Sequence, residues 1–275
     1  MDIDYPYDWD DLGEEEIEYP RDISVDAARV AIMAIIDSDR DRVYYIQQLE
    51  VFLEKSFFHW ITARAISELL YEDILHSDEV QLLGETKVKF VFHKSNRYNR
   101  REIKEKIGLI REYSKPEFSG ACGRQAEVLF FNALTGRGFV SKGEDTNKYK
   151  RKIWTNTNHN LDFIIERDGI AYGAEVKNKL RYIEKDELEI KLEICKYLGI
   201  RPLFIMRASP KTYNYMIITQ KGFAMIYECQ IYPFGTRVMV DEIKGKLSLP
   251  VDCPRAIPKG IINRFEKWHV RQRSV

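Results

Sequence analysis

Metal fingers and disulfide frameworks have no footing in this sequence. Its four cysteines (Cys122, Cys195, Cys229, Cys253) include no CxxC pair, and its five histidines form no HxxxH or HExxH pair. Reduced, mostly buried thiols are the expectation. Long apolar runs are missing too. The longest, such as Pro202–Met206, fall far short of a membrane span, so no membrane partner is expected. The first twenty residues, MDIDYPYDWDDLGEEEIEYP, lack the basic start and apolar stretch of a secretory signal, and a cytoplasmic setting is the expectation.

What is present is charge, unevenly spread. The 275 residues carry 43 basic and 43 acidic side chains, but nine of the acids and none of the bases lie in those first twenty. The rest of the chain is therefore basic. Residues 1–21 read as an acidic, disordered leader, or as a tail that covers a polyanion-binding surface until nucleic acid displaces it.

Residues 22–115 look mainly helical. Ser24–Asp37 and Arg42–Phe57 space apolar residues at helical intervals, and Thr62 is placed to cap a further helix reaching Leu75. The period then changes to two. Val80–Leu83, a Gly-Glu-Thr turn and the alternation Val88, Phe90, Phe92 against Lys87, Lys89, His93 predict a basic two-stranded ribbon. Three helices followed by a ribbon resemble a winged-helix domain, a resemblance of pattern over about seventy residues. It implies that Thr62, Arg64 and Ser67 approach the major groove of duplex DNA, with Lys89 on the ribbon. Lys94, Arg97, Arg100, Arg101, Lys104 and Lys106 suit phosphates, or form a solvated helix face with Glu102 and Glu105 interleaved.

The stretch EYSKPEFSGACG, with Pro116 and two glycines, marks a domain boundary. Beyond it, residues 118–275 predict a helix near Gly123–Leu134, a strand around Phe139–Ser141 and a long basic loop. An apolar hairpin follows, then a helix with the stripe Leu188, Leu192, Cys195, Leu198. Strands are expected at RPLFIMR, YNYMIIT and FAMIYE. This is an α/β order, a mixed sheet flanked by helices. In the loop, Lys148, Lys150, Arg151 and Lys152, with Tyr149 and Trp154 interleaved, could track a phosphate backbone or be plain solvated charge. His159 reads as a loop residue or as a general base.

The hairpin is the informative part. Asp168-Gly169 suits a type I′ turn, which needs positive φ at both positions. A clean hairpin about that turn sets Asp162 across from Glu175, with Lys177 on the same face. Leu161, Phe163, Ile165, Tyr172, Ala174 and Val176 then share the other face. Opposed carboxylates destabilise a sheet unless a cation sits between them, and hard oxygen donors suit Mg²⁺ or Mn²⁺. Glu-x-Lys occurs five times in the chain, but only Glu175-Val176-Lys177 closes an apolar strand with an Asp opposite. A surface salt bridge of Lys177 with either acid is the plainer alternative.

Asp162, Glu175-Val176-Lys177 and a preceding helix bearing Glu127 resemble the PD-(D/E)xK nuclease superfamily, which includes restriction endonucleases and archaeal Holliday-junction resolvases. The resemblance covers roughly residues 118–230. It implies a restriction-endonuclease-like sheet, with Asp162, Glu175, Glu127 and the Val176 backbone carbonyl on the metal and Lys177 as catalytic lysine. The Pro that commonly precedes the Asp is replaced by Asn160-Leu161. Glu193 and Tyr197 stand where one exonuclease branch has Gln and Tyr. The expected activity is metal-dependent hydrolysis of phosphodiesters in duplex or branched DNA, in a defence or a junction-resolving role, with a homodimer for double-strand cutting. The alternatives are a catalytically silent nuclease fold that binds or docks, and an RNA-directed nuclease.

Overall fold

Asp22 opens the first helix by accepting a 2.9 Å hydrogen bond from the Ser24 amide. Helix α1 (Ile23–Ser38) buries Val25, Ala28, Ile32 and Ile36, one stripe at helical spacing. The computed structural model describes residues 22–82, 84 and 86–272. The acidic leader lies outside the described residues, as do Leu83 and Glu85 in the expected ribbon turn.

The predicted helix Arg42–Phe57 divides. Val43–Tyr45 forms strand β1, and only Ile46–Leu53 is helix α2. The β-branched and aromatic run Val-Tyr-Tyr pairs with a later strand, and that pairing outweighs the helical spacing read from Tyr45 onward. Helix α3 (His59–Tyr71) starts at Phe58, four residues before the cap expected at Thr62. Thr62 is instead an interior residue of α3, fully buried. Leu75 leaves the helix and opens β2 (Leu75–Gln81), which begins five residues earlier than the alternation indicated. β3 (Lys87–His93) pairs antiparallel with both partners, giving the sheet order β1-β3-β2. Its second half is buried on both faces, so His93 is not a solvent-facing residue. Helix α4 (Asn99–Tyr113) buries Lys106, whose ammonium is 2.6 Å from Glu102 and donates to the Val43 carbonyl. It is a structural cation rather than a phosphate contact.

Among the described residues, the chain up to Lys115 with Gly245–Leu249 forms one compact unit, and Pro116–Lys244 with the chain from Pro250 onward forms the other. The division falls at Lys115/Pro116, where only Ser114 and Lys115 separate two helices. Pro116 sits at the first position of helix α5 (Pro116–Thr135), where its missing amide is no loss, and the helix carries both glycines of the expected linker. The first unit also takes Gly245–Leu249, which a simple split at the boundary did not anticipate; the Gln48 amide donates to the Leu247 carbonyl there at 2.8 Å.

The second unit is a mixed α/β fold. Strand β4 (Val140–Thr146) extends five residues past the segment expected, into what read as loop. The short hairpin β5 (Lys148–Tyr149) and β6 (Lys152–Ile153) follows it. β7 (Leu161–Arg167) and β8 (Ile170–Lys177) turn at Asp168-Gly169, whose φ angles of 55° and 76° meet the expected turn. Then come α6 (Lys185–Leu198), closed by Gly199 at φ 75°, and β9 (Arg201–Met206). YNYMIIT is not a strand. Its residues lie in helix α7 (Lys211–Thr219), which begins after Pro210 and lays Tyr213, Met216 and Ile217 on the sheet at helical spacing. Tertiary packing overrides the β-branched composition. β10 (Phe223–Ile226), β11 (Gln230–Ile231), α8 (Arg237–Leu247), β12 (Val251–Asp252) and α9 (Lys259–Gln272) complete the chain.

The main sheet has the order β10-β9-β8-β7-β4, with β8, β9 and β10 parallel and β7 antiparallel to both its neighbours. One face packs Phe163, Ile165, Tyr172, Ala174 and Val176 with α5 and α9 residues such as Phe130 and Phe265. The other packs Ile164 and Ala171 against Ile194, Cys195 and Leu198 of α6, and Phe204 and Met206 against Leu188 and Ile217. Alternating apolar residues thus serve two covers. Gly173 is required on the α6 face. A Cβ there would meet Leu161 at 2.7 Å and Cys195 at 2.8 Å. No helix among the described residues is long and apolar enough to cross a membrane.

Candidate active site

The β7–β8 ladder follows the predicted register from Arg167 across Ile170 to Phe163 across Ala174, and stops there. Beyond that point β8 stays paired with β9 as far as Lys177, while β7 stays paired with β4 as far as Leu161. The two strands therefore part at Asp162 and Glu175. In the fork the Val176 amide donates to the Asp162 carboxylate at 2.6 Å, so Asp162 grips the backbone of β8 instead of completing a pair with Glu175. The alternation breaks with it: Leu161, expected to share a face with Phe163, packs with the α6 cluster, while Phe163 packs on the α5 face.

Glu175 is 1% exposed and held by two ammonium groups. Lys177 Nζ is 2.9 Å from Oε1, and Lys191 Nζ is 2.6 Å from Oε2. Lys177 has a second carboxylate, Glu187 on the first turn of α6, at 2.6 Å. Lys191, also on α6, makes its second hydrogen bond to the Asn160 carbonyl. The plainer expectation of a Lys177 salt bridge is met in part, but the pair is buried rather than on the surface. Glu127 on α5 is half-buried and has no hydrogen bond or ion pair among the described residues, nor has the Oδ1 of Asp162.

The charges act on one another. Burial pushes the Asp162 carboxyl up, the Glu175 charge pushes it further, and the Val176 amide only partly offsets them, leaving it at about 7. Burial and then Glu175 raise Glu127, with Lys177 and Arg124 opposing. Burial alone would lower Lys177, but Glu175 and Glu187 reverse that and hold it above the ordinary lysine value. Below this cluster, the buried Asn178 fixes the strand end. Its amide donates to the Cys122 and Ile231 carbonyls, and it accepts from Tyr227 and the Ile231 amide. Tyr227 also donates to the Lys177 carbonyl at 3.1 Å.

Sequence reasoning missed Glu187 and Lys191. Their signal was present: both lie four residues apart on α6, and Lys191 interrupts the buried stripe of Leu188 and Leu192. Asp145 was missed as well. It lies on β4 between Glu144, which pairs with Phe163, and Thr146, which pairs with Leu161, adopts a positive φ of 41°, and accepts from the Asn160 side chain at 2.9 Å.

The nucleic-acid candidates are mostly exposed and scattered. Arg64 is exposed and within 3.4 Å of Glu68. Ser67 is half-buried and donates to the Ala63 carbonyl. Lys89 pairs with Glu79 at 3.0 Å. Arg97, Arg100 and Arg101 are exposed around the start of α4. Thr62 has no access to a groove, because its hydroxyl is buried without a partner. In the second unit, Lys150 and Arg151 are exposed on the β5–β6 turn, and Lys152 donates to the Tyr197 carbonyl at 2.7 Å. His159 hydrogen-bonds Thr157 as a loop residue.

No family model matches the chain, and no curated protein or solved structure is similar enough to count as a relative. Among the described residues, no three Asp, Glu, His or Cys side chains form a ready metal-ligand group. The donor chemistry still suits a hard divalent cation at Asp162 and Glu127, which have unpartnered oxygens. Glu175 fits once one of its lysines yields an oxygen.

Proposed function

We propose that the second unit is a metal-dependent DNA endonuclease of the restriction-endonuclease-like, PD-(D/E)xK type. The observation that carries this reading is the fork between β7 and β8. A sheet otherwise lined with apolar side chains there collects Asp162, Glu175, Lys177 and, from α5, Glu127. A cluster in which burial and then like charge raise the Asp162 and Glu127 carboxyls gains from a cation, as a purely structural ion pair would not.

Asp162, Glu175, Glu127 and the Val176 carbonyl would hold Mg²⁺ or Mn²⁺. Bound there, the ion supplies positive charge to the scissile phosphate and makes its water more acidic. The Val176 amide orients Asp162, and Asn178 and Tyr227 fix the backbone from which Lys177 projects. Lys177 then has a simple task. It swings from Glu187 toward the phosphate, stays protonated, and stabilises the charge that develops on the phosphoryl oxygens.

The order helix-strand-helix-helix-strand-strand and the sheet order β1-β3-β2 support a winged-helix reading of the first unit. Arg64, Ser67, Lys89, Arg97, Arg100 and Arg101 are its proposed duplex contacts, and Lys150, Arg151 and Lys152 those of the second unit. A homodimer would bring two such sites to opposite strands. One observation favours a second reading, a catalytically silent binding module: both oxygens of Glu175 are already neutralised by lysines.

The test is cleavage of linear duplex, supercoiled plasmid, single strand, RNA and a four-way junction with Mg²⁺, Mn²⁺ or EDTA. Asp162→Ala and Lys177→Ala are run alongside. Metal-dependent cutting lost in both variants is the expected result, and the preferred substrate distinguishes defence from junction roles. Metal-independent DNA binding with no cutting of any substrate would favour the silent module.

A further inference from the structure

The family resemblance assigns one lysine to this site, and the structure has two. They are not equivalent. Lys177 divides itself between Glu175 and Glu187 and keeps 19% of its side chain exposed. Lys191 is 6% exposed within the apolar stripe of α6, and its two acceptors, Glu175 Oε2 and the Asn160 carbonyl, are fixed parts of the fork. An ammonium so deep persists only because it is paired. Asn160 precedes Asp162 by two residues, so Lys191 also ties the end of β7 to the end of β8 where their ladder has stopped.

We propose that Lys191 is the built-in counter-ion of the site: it holds Glu175 and, by cancelling one negative charge of the donor set, sets how tightly a divalent cation binds. The proposal rests on the metal-site reading given above. Lys191 is a positioning residue that acts through Glu175, and Lys177 is left free to exchange partners. Removing the Lys191 charge leaves one more net negative charge facing the cation. The cation is then bound more tightly, and the fold comes to depend on it.

The test uses the full chain as wild type, Lys191→Gln, Lys191→Arg and Asp162→Ala. Mn²⁺ and Mg²⁺ binding is measured by titration calorimetry, and melting is followed in EDTA and in each metal. Lys191→Gln keeps an N–H donor for the Asn160 carbonyl and drops only the charge. We expect it to bind Mn²⁺ about tenfold more tightly than wild type, the equivalent of one pKa unit of interaction. It should also melt lower in EDTA and gain more from metal. Lys191→Arg should behave as wild type. Lys191→Gln unfolded in EDTA but folded in Mn²⁺ supports the proposal, whereas unfolded in both overturns it. Equal or weaker binding by Lys191→Gln, with binding still abolished in Asp162→Ala, overturns the role of Lys191 and leaves the metal site standing. Tighter binding by Lys191→Arg as well overturns it, because charge would not be the cause. No metal binding by wild type or Lys191→Gln overturns both.

Discussion

Replacing Asp162 with Asn tests the electrostatics of the fork in the absence of any substrate. The carboxyl of Asp162 is raised from 3.8 to about 7, by burial first and by Glu175 second. A group with a raised folded-state pKa contributes its full stabilising effect below its unfolded value, and loses it as pH rises through the folded value. Asp162 should therefore favour the folded chain near pH 4 and disfavour it progressively up to pH 7. Three pKa units correspond to about 4 kcal/mol. Asn has the shape and the oxygen to accept from the Val176 amide, but a neutral acceptor gives back about 1 kcal/mol. The net expectation is that Asp162→Asn is about 2–3 kcal/mol more stable than wild type at pH 8 without metal, and no more stable near pH 4. That corresponds to roughly 5–10 °C in Tm for a unit of this size. Thermal melts in EDTA at intervals from pH 4 to 8.5 measure it. Saturating Mg²⁺ should shrink or reverse the gap, because only the carboxylate gains from the cation. A gap that does not change with pH, or an Asn variant less stable at pH 8, would refute the argument that like charges crowd this fork.

Lys177→Met should lower cleavage at least about 100-fold while leaving DNA affinity within a few-fold, measured by single-turnover kinetics beside a binding assay. Gly173→Ala should lower stability by about 1–3 kcal/mol, since the added methyl meets Leu161, Cys195 and Ile200 side-chain atoms at 2.7, 2.8 and 2.9 Å. Denaturant melts check it, and an unchanged midpoint would contradict the tight packing of α6 on β8. Thr62→Val should stabilise the first unit by about 1–2 kcal/mol by removing a buried, partnerless hydroxyl, with duplex affinity unchanged. A loss of affinity would instead return Thr62 to the DNA interface.

The legible parts of the fold are those where one local signal dominates. Asp168-Gly169 demands positive φ, and the register followed from it for five residue pairs. The stripe Leu188, Leu192, Cys195, Leu198 defined α6 because helical spacing and the Gly199 stop agree. Illegible parts are those where composition and packing disagree. Val43-Tyr44-Tyr45 sits inside a helical spacing pattern yet pairs with β3, and the β-branched end of α7 is helical because Pro210 starts a helix that covers the sheet. Pro116 and two glycines read as a linker, but a proline at the first turn is compatible with a helix, and α5 runs straight through.

The site shows the same division more sharply. Extrapolating the register predicted Asp162 opposite Glu175, and both do meet at one place. The extrapolation failed by one pair because a carboxylate competes for the Val176 amide, and a pairing rule contains no such competitor. That failure has a chemical consequence. With the ladder open, Glu175 still raises the Asp162 carboxyl, and its own charge is met by Lys177 and Lys191. A lysine at a buried helical position carries information that an apolar stripe does not: it marks where the sheet must present a carboxylate. Read that way, Lys191 among Leu188, Leu192 and Cys195 would have pointed to Glu175 from the helix side, independently of the Glu-x-Lys spacing. The position of the buried lysine and the fork in the hairpin are two observations of one site. On the proposed metal-site reading, a cation would share Glu175 with Lys191, and its affinity would then be set on α6 as much as on the strands.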